Sequence, residues 1–160
     1  MELKRKVKRK IGEYMSKVNI IWASMFGTAE DVANDVYEST KDNLGFDVEI
    51  HEMNDVDIES FQSMENVMFI SSTTGQGDVP TNGETFFNKL SESEMDLSKM
   101  KYGICTLGDS SHTYFCGAGK KINKRMEQLG ATRITDVLEC DGDDEGAREY
   151  SISTMKKLIG

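Results

Sequence analysis

The sequence predicts an α/β protein with a parallel sheet covered by helices on both faces. Short apolar runs alternate with segments in which apolar residues recur every three or four positions, as on one helix face. Three runs, residues 18–23, 67–70 and 102–107, are apolar enough for strands buried on both faces. Residues 46–50 and 133–138 are only half apolar, which suits edge strands. The order is then 2-1-3-4-5, that of a doubly wound fold.

The helices are predicted from the same periodicity. Three faces are Ala29, Val32, Ala33, Val36, Tyr37, Thr40 and Leu44; Ala118, Ile122, Met126 and Leu129; and Ala147, Tyr150, Thr154, Met155 and Leu158. Thr81 and Glu84 resemble a capping box at the start of another helix. Ligands of such sheets bind where the strand order reverses, so we expect the site beside the loops that follow the first and third strands.

The 160 residues suit one domain, residues 18–160, preceded by a basic tail, residues 1–17. Seven basic and two acidic residues give the tail a net charge of +5, and 12 basic and 26 acidic residues give the remainder −14. Such a body repels nucleic acid and attracts basic protein surfaces.

The sequence predicts neither a membrane span nor export. No apolar run approaches the ~20 residues of a span, and the start lacks the apolar core of a signal peptide. Cys105, Cys116 and Cys140 are too widely spaced for a disulfide framework or a zinc site, and Cys105 is expected to be a small buried residue. We expect a cytoplasmic monomer.

Loops rich in Ser, Thr and Gly follow the three central strands, at residues 24–30, 71–82 and 108–120. The first loop enters a helix whose free N–H groups can hold a phosphate, with hydroxyls from Ser24 and Thr28. No Lys or Arg lies between Lys17 and Lys41, so a monophosphate fits better than a hydrolysed triphosphate. Taken alone, the loop would favour an ordinary N-capped helix over a phosphate site.

The third loop carries His112, Tyr114 and Phe115, enough ring surface to flank a planar group. The alternative is that Phe115 packs in the core while the other two are surface residues.

The segments SMFGTAE, STTGQGDVPTN and LGDSSHTYFCGAGK resemble the three FMN loops of flavodoxin-like proteins, closest to the FMN modules of diflavin reductases and to small free-standing bacterial flavodoxins. The resemblance runs from Val18 to the end and implies a flavodoxin-like three-layer sandwich that binds FMN. By match, the phosphate site falls on Ser24, Met25, Phe26, Gly27, Thr28 and Ala29. The ring and its N5 edge fall on Ser72, Thr73, Thr74 and Gly75; the other ring face falls on Leu107, Gly108, Asp109, His112, Tyr114, Phe115 and Cys116; and Asp141 lies in a further acidic turn.

Three residues depart from the family pattern. Phe26 stands where the family often has Thr, Thr74 where it often has an aromatic residue, and His112 in place of the usual Tyr. The family's long-chain insertion has no room between Ile134 and Leu138, which indicates a short-chain form.

The resemblance implies a carrier that shuttles single electrons between a flavin-dependent reductase and an acceptor protein, without a catalytic acid, base or nucleophile. The alternative is an FMN-dependent quinone or flavin reductase, for which the sequence offers no extra segment to hold a substrate and a nicotinamide. A response-regulator receiver would need an aspartate where the third strand ends in Ser71 and Ser72. Docking is expected on the acidic residues near the flavin: Asp78, Asp109, Asp141, Asp143, Asp144 and Glu145.

Overall fold

The computed structural model describes residues 16–43, 45, 47–74, 76–108 and 116–160. The strands are β1 (Lys17–Ala23), β2 (Asp47–Glu52), β3 (Asn66–Ser72), β4 (Lys101–Gly108), β5 (Thr132–Arg133) and β6 (Leu138–Asp141). The helices are α1 (Thr28–Thr40), α2 (Ile58–Gln62), α3 (Thr81–Glu92), α4 (Gly117–Gln128) and α5 (Ala147–Ile159), with a 3-10 turn at Met53–Asp55. These strands pair in parallel in the order β2-β1-β3-β4-β5, and β6 also pairs with β4, which confirms the predicted order.

Each face of the sheet has its own hydrophobic core, because side chains of the central strands alternate between the faces. On one face, Phe69 and Tyr102 pack under α2, α3 and α4. Phe61 and Phe86 meet there edge to face, with ring centroids 5.0 Å apart. On the other face, Ile70 packs under α1 and α5. Cys105 belongs to this second core and is fully buried, as predicted.

The prediction of one continuous strand over residues 133–138 is wrong. Residues 134–137 stand between the two segments that pair with β4, opposite only Gly103 and Ile104, so the extra residues leave the ladder. Thr135 lies against α5, where its hydroxyl is 3.0 Å from the Tyr150 hydroxyl, and that hydroxyl also donates to the Asp136 carbonyl. These polar contacts stabilise the bulge, which the half-apolar sequence pattern does not predict.

The predicted capping box is also wrong. Pro80 occupies the N-cap of α3, and Thr81 is the first helical residue. The Thr81 carbonyl accepts a hydrogen bond from Asn54 Nδ2 at 3.0 Å. This contact comes from the 3-10 turn, which the apolar periodicity does not indicate.

Most of the predicted basic tail lies outside the described residues. Of residues 1–17 only Ser16 and Lys17 are described, and Lys17 already belongs to β1. Leu44, predicted on the first helix face, also lies outside. None of the helices in the described ranges is long and apolar enough to cross a bilayer.

Candidate functional site

The carboxyl ends of β1, β3 and β4 lie at one edge of the sheet because the three strands are parallel neighbours. Residues 24–27 (loop 1) follow β1, residues 73–80 (loop 2) follow β3 and residues 109–116 (loop 3) follow β4. Cys116 is the one described residue of loop 3. The predicted site residues Gly75, Asp109, His112, Tyr114 and Phe115 lie outside the described residues.

Loop 1 is a tight turn held by two hydrogen bonds to Ser24. The Gly27 N–H donates to Ser24 Oγ at 3.0 Å, and the Ser24 N–H donates to Asn82 Oδ1 at 3.0 Å. Gly27 has φ 90°, a backbone conformation that side-chain-bearing residues rarely adopt, and a Cβ there would meet nothing within 4 Å. The turn therefore requires glycine for its backbone shape, and the space beside it is open.

The N-terminus of α1 presents backbone N–H groups that have no hydrogen-bond partner within the helix. Gly27 is the N-cap and supplies no capping side chain, and the first helical hydrogen bond runs from the Asp31 N–H to the Gly27 carbonyl at 2.8 Å. The N–H groups of Thr28, Ala29 and Glu30 consequently have no partner within the helix. Ala29 can offer only this backbone group, because its side chain is buried in the core. Such a helix end suits an anion.

Two large apolar side chains of loop 1 face solvent. Met25 is 49% exposed and Phe26 is 93% exposed. The Phe26 side chain therefore turns away from the loop, and its backbone remains available beside Gly27.

Loop 2 turns back on itself directly after β3. The Thr73 N–H still donates to the Leu107 carbonyl of β4, at 3.1 Å. Beyond it, Thr74 and Asp78 exchange two backbone hydrogen bonds of 2.9 and 2.7 Å and close a small turn. Ser72, Thr73 and Thr74 are half-buried, so they line the edge between loop 1 and β4.

The described residues on the β4 side of the site contribute mainly backbone groups. Leu107 is buried and Gly108 is half-buried, and the Gly108 carbonyl accepts the Gly142 N–H at 2.7 Å. Cys116 adopts a left-handed conformation, φ 53°, at the N-cap of α4, and its side chain is fully buried. Burial raises the pKa of the Cys116 thiol to about 11, so it stays protonated near neutral pH.

The acidic residues differ in whether a cation neutralises them. Asp78 Oδ1 lies 2.7 Å from Lys121 Nζ, and this hydrogen bond lowers the Asp78 pKa. Asp144 Oδ2 lies 2.9 Å from Arg148 Nη1, and Nε of the same arginine lies 2.7 Å from Asp35 Oδ2. Asp143 and Glu145, which follow β6, form no ion pair within the described residues. Asp141 is exposed at the end of the same strand.

Two residues of this arrangement were not predicted from the sequence. Asn82 fixes loop 1 from the first turn of α3, and Lys121 reaches loop 2 from the second turn of α4. Asn82 is the last residue of the matched segment STTGQGDVPTN, which could have drawn attention to it. No pattern in the sequence points to Lys121.

The described residues fit a bound phosphate group. The first N–H groups of α1 have no partner within the helix, and the space beside Gly27 is open, so a phosphate can bind there. The half-buried hydroxyls of loop 2 lie at the neighbouring end of β3. The absence of Lys and Arg from loop 1 leaves neutral backbone donors to hold the phosphate.

Comparison with known proteins supports this interpretation. The flavodoxin family model matches residues 20–153. The chain is 33% identical over 141 residues to NADPH oxidoreductase A of Dictyostelium discoideum, covering 88% of this chain and 22% of that protein. It is 31% identical over 144 residues to the sulfite reductase [NADPH] flavoprotein alpha-component of Bacillus subtilis, covering 89% and 24%. It thus spans less than a quarter of the length of these two relatives.

Solved structures show the same fold. A flavodoxin of Streptococcus pneumoniae TIGR4 superposes with a TM-score of 0.76 at 24% identity, covering 90% of this chain and 97% of that one. Oxidised flavodoxin 2 of Bacillus cereus gives a TM-score of 0.74 at 25% identity, with the same coverage. FMN is the cofactor of the family whose model matches. The chain belongs to the flavodoxin family.

Proposed function

We propose that this protein binds FMN at the carboxyl edge of its sheet and carries single electrons between a flavin-dependent reductase and an acceptor redox protein. The observation that supports it most is that the carboxyl ends of β1, β3 and β4 meet at one edge of the sheet, next to a helix N-terminus whose first N–H groups have no partner within the helix.

Loop 1 would hold the phosphate. The N–H groups from Phe26 to Ala29 would donate to it, with hydroxyls from Ser24 and Thr28. Ser24 Oγ already accepts the Gly27 N–H, which leaves its own hydrogen free to donate outward. Loop 2, through Ser72, Thr73, Thr74 and Gly75, would lie at the N5 edge of the ring. The remaining ring contacts would come from Leu107, Gly108, Asp109, His112, Tyr114, Phe115, Cys116 and Asp141.

The protein's own part in the reaction is to bind and orient, because FMN supplies the redox chemistry when bound. In the described part of the site, the hydroxyls belong to Ser and Thr residues without a neighbouring base, and the Cys116 thiol is buried and protonated. Burial of Leu107 beside the site would keep water from one side of the ring.

The partner would present a basic surface. The two relatives named above are an NADPH oxidoreductase and the flavoprotein component of a sulfite reductase, and the body of this protein is strongly acidic. Asp143 and Glu145 would contribute most to attraction, because Asp78 is paired with Lys121 and Asp144 shares the Arg148 cation with Asp35. We place the monomeric carrier in the cytoplasm, since its three cysteines are free and buried, as suits a reducing compartment.

An assay of NADPH oxidation distinguishes the carrier from an enzyme. FMN-loaded protein is mixed with NADPH and a quinone, with and without a separate NADPH-dependent flavoprotein reductase. A carrier passes electrons at a substantial rate only when that reductase is present. Turnover of similar rate without it would establish the alternative, an FMN-dependent quinone or flavin reductase.

A further inference from the structure

We propose that Asp78 and Lys121 are positioning residues: their ion pair fixes loop 2 against bound FMN and so sets the midpoint potential of the flavin by geometry. This inference rests on the proposed function, since loop 2 is the segment assigned to the N5 edge of the ring.

Beyond Thr73, the described residues of loop 2 form no hydrogen bond to a neighbouring strand. The last such bond among them runs from the Thr73 N–H to the Leu107 carbonyl. The turn closed by Thr74 and Asp78 bonds to itself. Its orientation therefore depends on contacts from outside the sheet.

Besides the buried Val79 side chain, those contacts come from the first two turns of α4. The Ala118 N–H donates to Thr73 Oγ1 at 3.3 Å, at the beginning of the loop. Lys121 Nζ lies 2.7 Å from Asp78 Oδ1, at the far side of the turn. Between them, Gly117 lies so close to Gly77 that a Cβ on Gly117 would come within 2.6 Å of the Gly77 Cα.

The same helix begins at the end of loop 3. A single rigid element is thus attached both to the loop at the N5 edge and to the loop assigned to the ring face. The ion pair is the outermost of the three contacts, and it resists rotation of the turn about the Thr73 attachment.

The pair is suited to positioning more than to stability or to a local field. The side chains of Lys121 and Asp78 are 45% and 59% exposed, and exposed pairs contribute little to the free energy of unfolding. Because the two charges are 2.7 Å apart, they largely cancel at the distance of the flavin.

The test measures the FMN midpoint potential of Lys121→Met and Asp78→Asn. If the residues acted through charge, loss of the cation would lower the potential and loss of the anion would raise it. Positioning predicts that both variants shift the potential in the same direction, toward that of free FMN, and weaken FMN binding by about two- to fivefold. Fluorescence titration measures the affinity.

Matched variants separate positioning from the loss of a charge. Lys124→Met removes the same charge from the same helix at an exposed residue without an ion pair in the described structure, and should leave the potential unchanged. Lys121→Arg and the exchanged pair Asp78→Lys with Lys121→Asp should restore the wild-type potential. Gly117→Ala, which must displace Gly77, should shift it in the same direction as the pair variants and further.

Shifts of opposite sign, or no shift in either single variant, would overturn the positioning role while leaving the proposed function intact. Failure of the wild-type protein to bind FMN would instead overturn the proposed function, and this inference with it.

Discussion

Replacing Gly27 with alanine tests whether loop 1 holds a phosphate. Gly27 and Gly146 are a matched pair: each is the N-cap of a long helix, with φ 90° and ψ −9° or φ 78° and ψ −9°. A Cβ at either position would meet nothing within 4 Å. The cost of alanine at either site therefore comes from the backbone conformation and not from a clash.

The two substitutions should have similar effects on stability. Left-handed backbone costs a side-chain-bearing residue about 1–2 kcal/mol. The lower flexibility of the unfolded chain offsets about 0.4–1 kcal/mol of this. Each variant should therefore lose about 1 kcal/mol in urea denaturation of the apoprotein.

The two variants should differ in ligand binding. Gly27→Ala misdirects backbone donors toward the phosphate, and a hydrogen bond to a charged group contributes about 1.5–3 kcal/mol. The affinity for FMN relative to riboflavin, which lacks the phosphate, should fall by about ten- to a hundredfold. Gly146→Ala should leave this ratio unchanged. Flavin fluorescence titration gives both affinities, and an equal loss of FMN and riboflavin in Gly27→Ala would refute the phosphate role of loop 1.

Three further predictions concern single contacts. Asn82→Ala leaves the Ser24 N–H without its acceptor, so isothermal titration should show about five- to tenfold weaker FMN binding, although Asn82 is not itself assigned to an FMN contact; unchanged affinity would mean that Asn82 does not shape loop 1. Thr106→Val replaces a buried hydroxyl that has no partner within the described structure, so the free energy of unfolding should rise by about 1 kcal/mol, and a destabilised variant would reveal a partner for that hydroxyl. Charge reversal at Asp143 or Glu145 should slow electron transfer to a basic acceptor at low salt, as should raising the ionic strength well above ~0.15 M. Reversal of Glu92, at the opposite end of α3, should have little effect; equal responses at the three positions would place docking elsewhere.

The buried parts of the fold were the most predictable from sequence. β1, β3 and β4 are apolar on both faces, so their pattern and the strand order follow from composition alone. The last strand was not predictable in this way, because its bulge depends on polar contacts of Thr135 with α5. The capping box failed for a similar reason, since Pro80 takes the N-cap of α3.

Some features of the site were likewise predictable from the sequence, and others were not. The composition of loop 1 correctly indicated a turn entering a helix, with Gly27 in a conformation that requires glycine. The contacts of Asn82 and Lys121 bring together residues 58 and 43 positions apart. Such contacts arise from the packing of α3 and α4 on the sheet, and no local sequence pattern predicts them.

A spectroscopic titration is the most direct test of FMN binding at this edge of the sheet. Purified protein is stripped of any bound ligand, titrated with FMN and followed by flavin absorbance and fluorescence. We expect saturable binding at one FMN per chain, with riboflavin bound much more weakly because it lacks the phosphate. Protein that is folded by circular dichroism yet binds neither flavin would show that this edge is not an FMN site.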